Sequence, residues 1–377
     1  MPIVLYVLAL LTFCTGTAEF GIVGIIPSVS AEFGVPLPVS GLLITAYALA
    51  MIAGAIGVNL IATGHSPRRA ILAATALFAV ANLGISIVPN FATLLGLRTL
   101  SGLSQGAIYG LSTAAASSIV ASHLSTRAVA LVYVGPTLAM IAGVPLSSVL
   151  ATMDNWRGPF LVIGIAALGC ALALVRTLPE LGSLRILHLS AMAGLLREAR
   201  LRLIYGMTIL GFGGSMVAYA FLPATLEEVG GASAARLGLS LSVFGIGAFA
   251  GNLLAGWAGD RFGIRATMLA VLAVLGVSLA GMLMIAAQGP LAFAVLFVWG
   301  AMAFSLPPLL QNAAIGIARE SGSETAGAGL NIAAFNVGIG TAGLAGGLLV
   351  AVGDLTTPLL AATIAVLAAI PVATRLR

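Results

Sequence analysis

Gly16-Thr17-Ala18-Glu19-Phe20-Gly21-Ile22-Val23-Gly24-Ile25-Ile26-Pro27 places one carboxylate inside an apolar run that reaches back to Ile3. About 20 apolar residues, rising 1.5 Å each, cross a hydrocarbon layer roughly 30 Å thick, so the run reads as a membrane-spanning helix with Glu19 inside it. An ionisable group there costs at least ~2.5 kcal/mol on insertion scales, and such groups nearly always face a bundle interior or a water-filled path. Glu19 is therefore a candidate functional residue. A carboxylate that only locks helix packing is the structural alternative, although a neutral partner would lock helices at lower cost.

Composition extends this reading to the whole chain. Hydrophobic residues make up 60% and charged residues 7%, with a mean hydropathy of +1.15, which excludes an ordinary soluble domain and indicates a polytopic membrane protein in contact with the lipid bilayer. The net charge of +5 comes from sixteen arginines and no lysine. No nucleic-acid motif accompanies it, so no nucleic-acid partner is expected. Cys14 and Cys170 each sit among apolar residues as small packing side chains, and no disulfide is assigned. His65, His123 and His188 fall in connections without metal-ligand spacing, so neither metal nor cofactor is expected. The first apolar run lacks a basic region and a small-residue cleavage site and is expected to be retained.

Apolar segments run over approximately 3–27, 38–62, 70–88, 91–120, 128–151, 157–175, 203–225, 237–258, 267–287, 290–317, 326–352 and 356–374, giving an all-α protein of twelve transmembrane helices. The one long break, 176–202, divides an N-terminal six-helix half (1–175) from a C-terminal one (203–377). Within it Leu184, Leu187, Ala191 and Leu195 recur at helical spacing opposite Arg185, Arg197 and Arg200, the pattern of a helix on the membrane surface; a solvated linker is the alternative. With both termini cytoplasmic, thirteen arginines lie inside and only Arg157 and Arg236 outside, which satisfies the positive-inside rule. Arg98 remains, buried in the fourth span.

Depth relates the two buried charges. Glu19 lies about 8 Å short of the outer edge and Arg98 about 10 Å below it, by counting 1.5 Å per residue from the span ends. Desolvation disfavours a charged carboxylate and a nearby cation favours it, so movement between two environments would switch which effect dominates; a proton-coupled carrier needs such a group. A permanent Glu19–Arg98 pair serving packing is the alternative. The loop Gly256-Trp257-Ala258-Gly259-Asp260-Arg261-Phe262-Gly263-Ile264-Arg265 gathers one acid, two guanidiniums and turn glycines at a membrane edge, a cluster able to hold helix ends in one conformation and release them in another. Its counterpart, 57–69, keeps Arg68 and Arg69 but carries no acid. The matching positions of the two loops indicate a parallel duplication with the site between the halves.

Four separated segments carry a family resemblance. Gly16 to Phe20 with Gly24 and Pro27, Arg98-Thr99-Leu100-Ser101-Gly102-Leu103-Ser104-Gln105-Gly106, Gly135-Pro136 with Gly143-Val144-Pro145 and Trp156-Arg157, and Gly256 to Arg265 together resemble the major facilitator superfamily. Within it the chain is similar to the twelve-span drug:proton antiporters, in the branch of sugar-efflux and chloramphenicol-resistance-type exporters. Ala326 to Gly347, with Asn331, Phe335, Asn336, Gly346 and Gly347, is similar to that branch's eleventh helix. Two departures stand out: Gly64 and His65 occupy the first-half loop where the signature has acid and base, and the fifth-helix motif is split by a longer gap.

The resemblance implies alternating access, with Glu19 and Arg98 in proton coupling and Gly135, Pro136, Gly143, Pro145, Gly256, Asp260, Arg261, Gly263 and Arg265 in gating. Gly and Pro in the fifth span interrupt helix hydrogen bonding and thin its surface, which serves bending or ordinary packing equally. Polar and aromatic residues within spans, Tyr47, Tyr109, Tyr133, Tyr219, Asn252, Trp299, Gln311, Asn331, Phe335 and Asn336, are the candidates to line a mostly apolar substrate cavity. With one acid and one base buried, the expected substrate is neutral and amphipathic, or a cation that meets Glu19. The resulting expectation is a monomeric exporter of a drug, sugar or similar metabolite by proton antiport in a bacterial inner membrane; a solute importer or passive facilitator of the same fold is the alternative. The loops are too short for a catalytic or receptor domain, so no enzyme is expected.

Overall fold

The computed structural model describes residues 1–61, 66–121, 124–153, 155–181, 194–285 and 290–376, and all regular structure among them is helical. Twelve long segments follow one another: α1 Ile3–Gly24, α2 Leu37–Gly57, α3 Pro67–Ile85, α4 Phe91–Ile119, α5 Arg127–Ala151, α6 Gly158–Thr177, α7 Ala199–Tyr219, α8 Ala234–Phe262, α9 Ile264–Leu283, α10 Pro290–Arg319, α11 Ala326–Val352 and α12 Thr357–Thr374. Eleven of them are long and apolar enough to cross a membrane. α4 completes the twelve. Its 29 residues give ample length, but buried Arg98, Ser101, Ser104, Gln105 and Ser112 dilute its apolar content.

Local chemistry sets the segment ends. Prolines open α3, α6 and α12 at Pro67, Pro159 and Pro358, where a missing N–H costs nothing because the first turn has no acceptor for it. Asn90 caps α4 by accepting the Thr93 N–H at 2.9 Å. Between α8 and α9 the chain turns on Gly263, whose φ of +83° favours a residue without Cβ. Leu184, Arg185, Leu187 and Ala191 of the expected surface helix lie outside the described residues, as do Gly64, His65, His123 and His188.

The chain forms two compact units, one of Met1–Val35 with Ala46–Ile186, the other of Pro36–Thr45 with Leu187–Arg377. In the first, α1 packs on α5 and α6, α3 on α4 and α6, and α4 on α5. In the second, α7 packs on α11 and α12, α9 on α10 and α12, and α10 on α11. The pairings are the same, shifted by six helices. Within the second unit Pro36–Thr45 lies on α11: Thr45 Oγ1 donates to the Gly340 carbonyl at 2.7 Å, and the Gly41 and Gly343 backbones abut.

Glycine contacts fix the register of this duplication. A Cβ on Gly102 would strike the Tyr47 carbonyl and one on Gly54 the Leu103 carbonyl; Gly300 meets the Phe244 carbonyl and Gly251 the Ala301 carbonyl in the same way. Tyr47 precedes Gly54 by seven residues, as Phe244 precedes Gly251. Thr12 of α1 and Pro27 just beyond its end stand fifteen residues apart, as do Thr208 of α7 and Pro223 just beyond its end. These matches are what a parallel repeat predicts.

Close backbone approach through glycine is also what holds α2 to α4, since lipid supplies no hydrophobic force between helices. At Gly106 an added Cβ would lie 2.8 Å from the Ala55 nitrogen, whereas at Gly110, one turn along α4, it would meet nothing within 4 Å. Gly106→Ala is therefore expected to destabilise the purified protein by about 1–3 kcal/mol, and Gly110→Ala to leave it unchanged. Thermal unfolding in detergent measures both, and equal effects would remove the glycine contact as the determinant.

Candidate functional site

Glu19 stands near the end of the regular part of α1, which runs as an α-helix over Ile3–Gly21, tightens at Ile22–Gly24 and is followed by the short helix Ile26–Phe33 opened by Pro27. The last four carbonyls of an α-helix have no partner within it. Ala18 supplies one of them, and Arg98 Nη1 from α4 donates to it at 2.6 Å. Arg98 is fully buried, its guanidinium carbon lies 4.0 Å from the centre of the Tyr47 ring, and its Nε and Nη2 have no hydrogen-bond partner. Among the described residues no ion pair joins Arg98 to Glu19. The cation is held instead by a helix-end carbonyl and an aromatic face.

Gln105 makes the connection between them. It follows Arg98 by seven residues, two helical turns, and so lies on the same face of α4. Its Nε2 donates to Glu19 Oε2 at 2.5 Å and approaches Met51 Sδ at 3.7 Å, while its Oε1 accepts from the Tyr47 hydroxyl. Glu19 keeps partial exposure; Arg98, Gln105 and Tyr47 have almost none. Sequence alone does not single out Gln105. The signal available is its i+7 spacing from a buried arginine. One turn further along α4, Tyr109 stacks on Tyr133 of α5 with ring centres 6.3 Å apart and planes 8° from parallel; Tyr133 is 43% exposed.

α1 and α5 meet along the proline-rich stretch. Pro136 has no N–H, so the Val132 carbonyl four residues earlier lacks its helical donor. Thr12 Oγ1 of α1 takes that place at 2.6 Å. A π-helical turn follows at Ala139–Gly143, after which Val144 and Pro145 begin the last part of α5. Gly135 and Gly143 face Thr12 and Thr17 with no room for a Cβ.

In the second unit the polar candidates form a neutral chain. Thr208 Oγ1 donates to Asn331 Oδ1 at 2.8 Å, Asn331 Nδ2 to Gln311 Oε1 at 2.9 Å, and Gln311 Nε2 to the Ala328 carbonyl at 3.3 Å. Asn336 is buried, donates to the Ile332 carbonyl at 3.0 Å and leaves its Oδ1 without a partner. Phe335 meets Phe212 edge to face at 5.2 Å. Trp299 and Tyr219 are packed inside: Trp299 Nε1 donates to Ser215 Oγ at 2.7 Å, and Phe244 lies between the two rings. Asn252 is partly exposed on α8.

The duplication shows what has been built once only. By the α2/α4 register Tyr47, Arg98 and Gln105 correspond to Phe244, Leu296 and Ala303, all buried and apolar. By the α1 register Glu19 corresponds to Ser215. Among the described residues the buried ionisable network belongs to the first unit alone.

The loop cluster divides differently from the sequence pattern. Gly256 faces open space, and Asp260, Arg261, Gly263 and Arg265 are exposed; no ion pair within the described residues involves Asp260. Arg261 lies near the Trp257 and Phe262 rings at 5.9 and 5.7 Å, and Arg265 Nη2 donates to the Thr374 carbonyl at the end of α12 at 2.7 Å. Arg68 does the same for α6, donating to the Leu178 and Val175 carbonyls at 2.8 and 2.6 Å, and there Glu180 pairs with it at 3.3 Å. A guanidinium on helix-end carbonyls is favourable through the helix dipole. The acid missing from 57–69 is thus supplied from beyond α6. At the opposite ends of the first-unit helices, Glu32 accepts from Trp156 Nε1 at 2.5 Å and from Arg157 Nη1 at 2.7 Å. The Arg157 guanidinium holds the Glu32 carboxyl below the usual carboxylate range.

Two repeated six-helix bundles of membrane-spanning length, with a buried ionisable network in one, define a polytopic membrane transporter. The profile of the Major Facilitator Superfamily matches residues 8–203 and 203–377, and the chain belongs to that family. It is a multi-pass secondary transporter of small molecules, not an enzyme. The chain is 30% identical over 349 residues to the inner membrane transport protein YdhP of Escherichia coli, covering 93% of this chain and 89% of the relative. It is 30% identical over 356 residues to a chloramphenicol efflux pump of Mycobacterium tuberculosis, covering 92% and 85%. A solved bacterial homologue of the human lysosomal transporter Spinster, inward-facing and occupied, superposes with a TM-score of 0.82 at 13% identity over 98% of this chain and 95% of that one.

The Thr12–Val132 bond yields a test. Thr12→Val strands the Val132 carbonyl and is expected to cost about 1–2 kcal/mol of stability. Adding Pro136→Ala returns an N–H to that carbonyl and should recover most of the loss. Denaturation of the single and double variants decides, and additive losses would contradict the compensation.

Proposed function

We propose that this transporter exports a small molecule, a drug, sugar or similar metabolite, in exchange for protons across a bacterial inner membrane, working as a monomer with both termini in the cytoplasm. One observation carries it: a partly exposed carboxylate inside a spanning segment, Glu19, is wired through Gln105 to Tyr47 and lies beside a buried arginine with which it makes no ion pair among the described residues. A group placed so can bind a proton in one environment and yield it in another. The names of the relatives support efflux and the inner membrane. The halves 1–175 and 203–377, joined by 176–202, would alternate between two conformations, with the glycines and prolines of α5 and the Arg68 and Arg265 ends of α6 and α12 setting them.

Substrate is sought with a susceptibility and uptake panel of amphenicols, sugars, nucleosides and amino acids in an efflux-deficient bacterium. Once one is found, Glu19→Gln is expected to abolish its pH-driven accumulation in proteoliposomes while binding or passive exchange stays measurable, and Arg98→Ala to displace the pH dependence. Continued concentration of substrate by the Gln variant after a pH step would remove Glu19 as the coupling site. For orientation, a cysteine at Arg197 should be labelled from the cytoplasm and one at Asp354 from outside. Labelling of both from one side overturns the topology.

A further inference from the structure

Gln105 sits where an ionisable residue on one side and a neutral one on the other must agree on hydrogen-bond direction. The charged and titratable groups facing Glu19 are Arg98 and Tyr109 on α4 and Tyr47 on α2; α5 presents Tyr133 to Tyr109, and α6 presents Cys170 to Cys14. None of them donates a hydrogen bond to the carboxylate. That bond comes from Gln105 Nε2, whose contacts are Glu19 and Met51, leaving Oε1 to accept from Tyr47. A carboxylate only accepts, so this arrangement suits its ionised form.

We propose that Gln105 is a positioning residue that relays the protonation state of Glu19 to Tyr47. When Glu19 takes a proton from water, its new O–H needs an acceptor, and the amide oxygen of Gln105 becomes one by rotating half a turn about its terminal bond. No covalent bond changes beyond that one O–H. The rotation turns the amide N–H groups toward Tyr47, so the Tyr47 hydroxyl can no longer donate to Gln105 and donates to Ser101, its other neighbour. Tyr47 carries Arg98 on its ring face and belongs to α2, so the proton on α1 is registered on two other helices. The Gly102 contact pins the Tyr47 backbone to α4, which leaves side-chain rotation as the way to respond. The inference rests on the proton-antiport reading for its use in transport but not for its test.

Infrared difference spectroscopy of the full-length protein in lipid, titrated with protons as the only probe, reads both ends of the relay. The carboxylic C=O band of Glu19 is identified by its loss in Glu19→Gln, and the phenol C–O band of Tyr47 by its loss in Tyr47→Phe. In the wild type the Tyr47 band is expected to shift in step with the appearance of the Glu19 band. In Glu19→Gln the Tyr47 band should become independent of pH. In Gln105→Met, and in the shorter but still polar Gln105→Asn should Met fail to fold, Glu19 should still titrate with the Tyr47 response lost. A Tyr47 band that stays still while Glu19 protonates overturns the relay, as does one that follows Glu19 without Gln105, or a Glu19 band absent over the whole range in which the protein is folded. Failure of antiport would appear separately, as pH-driven accumulation that survives Glu19→Gln.

Discussion

Hydrocarbon offers no hydrogen bonds, so every polar group that a spanning helix frees must be satisfied from inside the protein. The first unit is organised by that requirement. Pro136 deprives Val132 of its donor, and Thr12 replaces it; the end of the regular α-helix in α1 leaves Ala18 open, and Arg98 fills it. Each repair crosses from one helix to another. The defects that weaken single helices therefore become the bonds that position α1 against α4 and α5, and Glu19 directly follows the second of them.

Duplication sets the unit that buries ionisable groups within its spans beside one that, among the described residues, keeps its charges at the helix ends. The glycine-to-carbonyl contacts recur at equal spacing, which preserves the α2/α4 and α8/α10 seams. Inside that common frame Arg98 and Gln105 are matched by Leu296 and Ala303, and Tyr47 by Phe244, packed between Tyr219 and Trp299. A second buried charge would carry the desolvation cost again. The second unit offers amides and aromatic rings instead, groups that recognise a neutral molecule without fixing its charge.

Much of this was legible in the sequence because membrane thickness imposes a length and lipid a composition. The twelve segments and the placing of Glu19 and Arg98 inside them follow from those constraints alone. α4 shows where the signal weakens: its polar residues lower its apolar content because they face protein, not lipid. Which residues touch was not legible. Depth counting brought Glu19 and Arg98 level but could not say that the arginine would bind a neighbouring carbonyl and leave the carboxylate to an uncharged glutamine. Glu180 was hidden for a related reason, since an acid that pairs with Arg68 from across a bundle leaves no trace in loop spacing. Trp299 and Tyr219 read as polar-tipped aromatics in a span, and only packing reveals that their rings are enclosed.

A proton switch in such a protein has to combine a fixed frame with movable hydrogens. Backbone approach at Gly54, Gly102 and Gly106 leaves α2 and α4 no space to slide locally, because any gap opened there would strand contacts between main chains that lipid cannot replace. With the main chains held along that seam, the response to a change of charge on Glu19 falls to side-chain rotation. What can change is the direction of hydrogen bonds and the face a cation prefers, and both are cheap compared with separating helices. Arg98 meets that seam through one carbonyl and one aromatic face, two contacts that leave its position set by neighbouring helices and not by an ion pair.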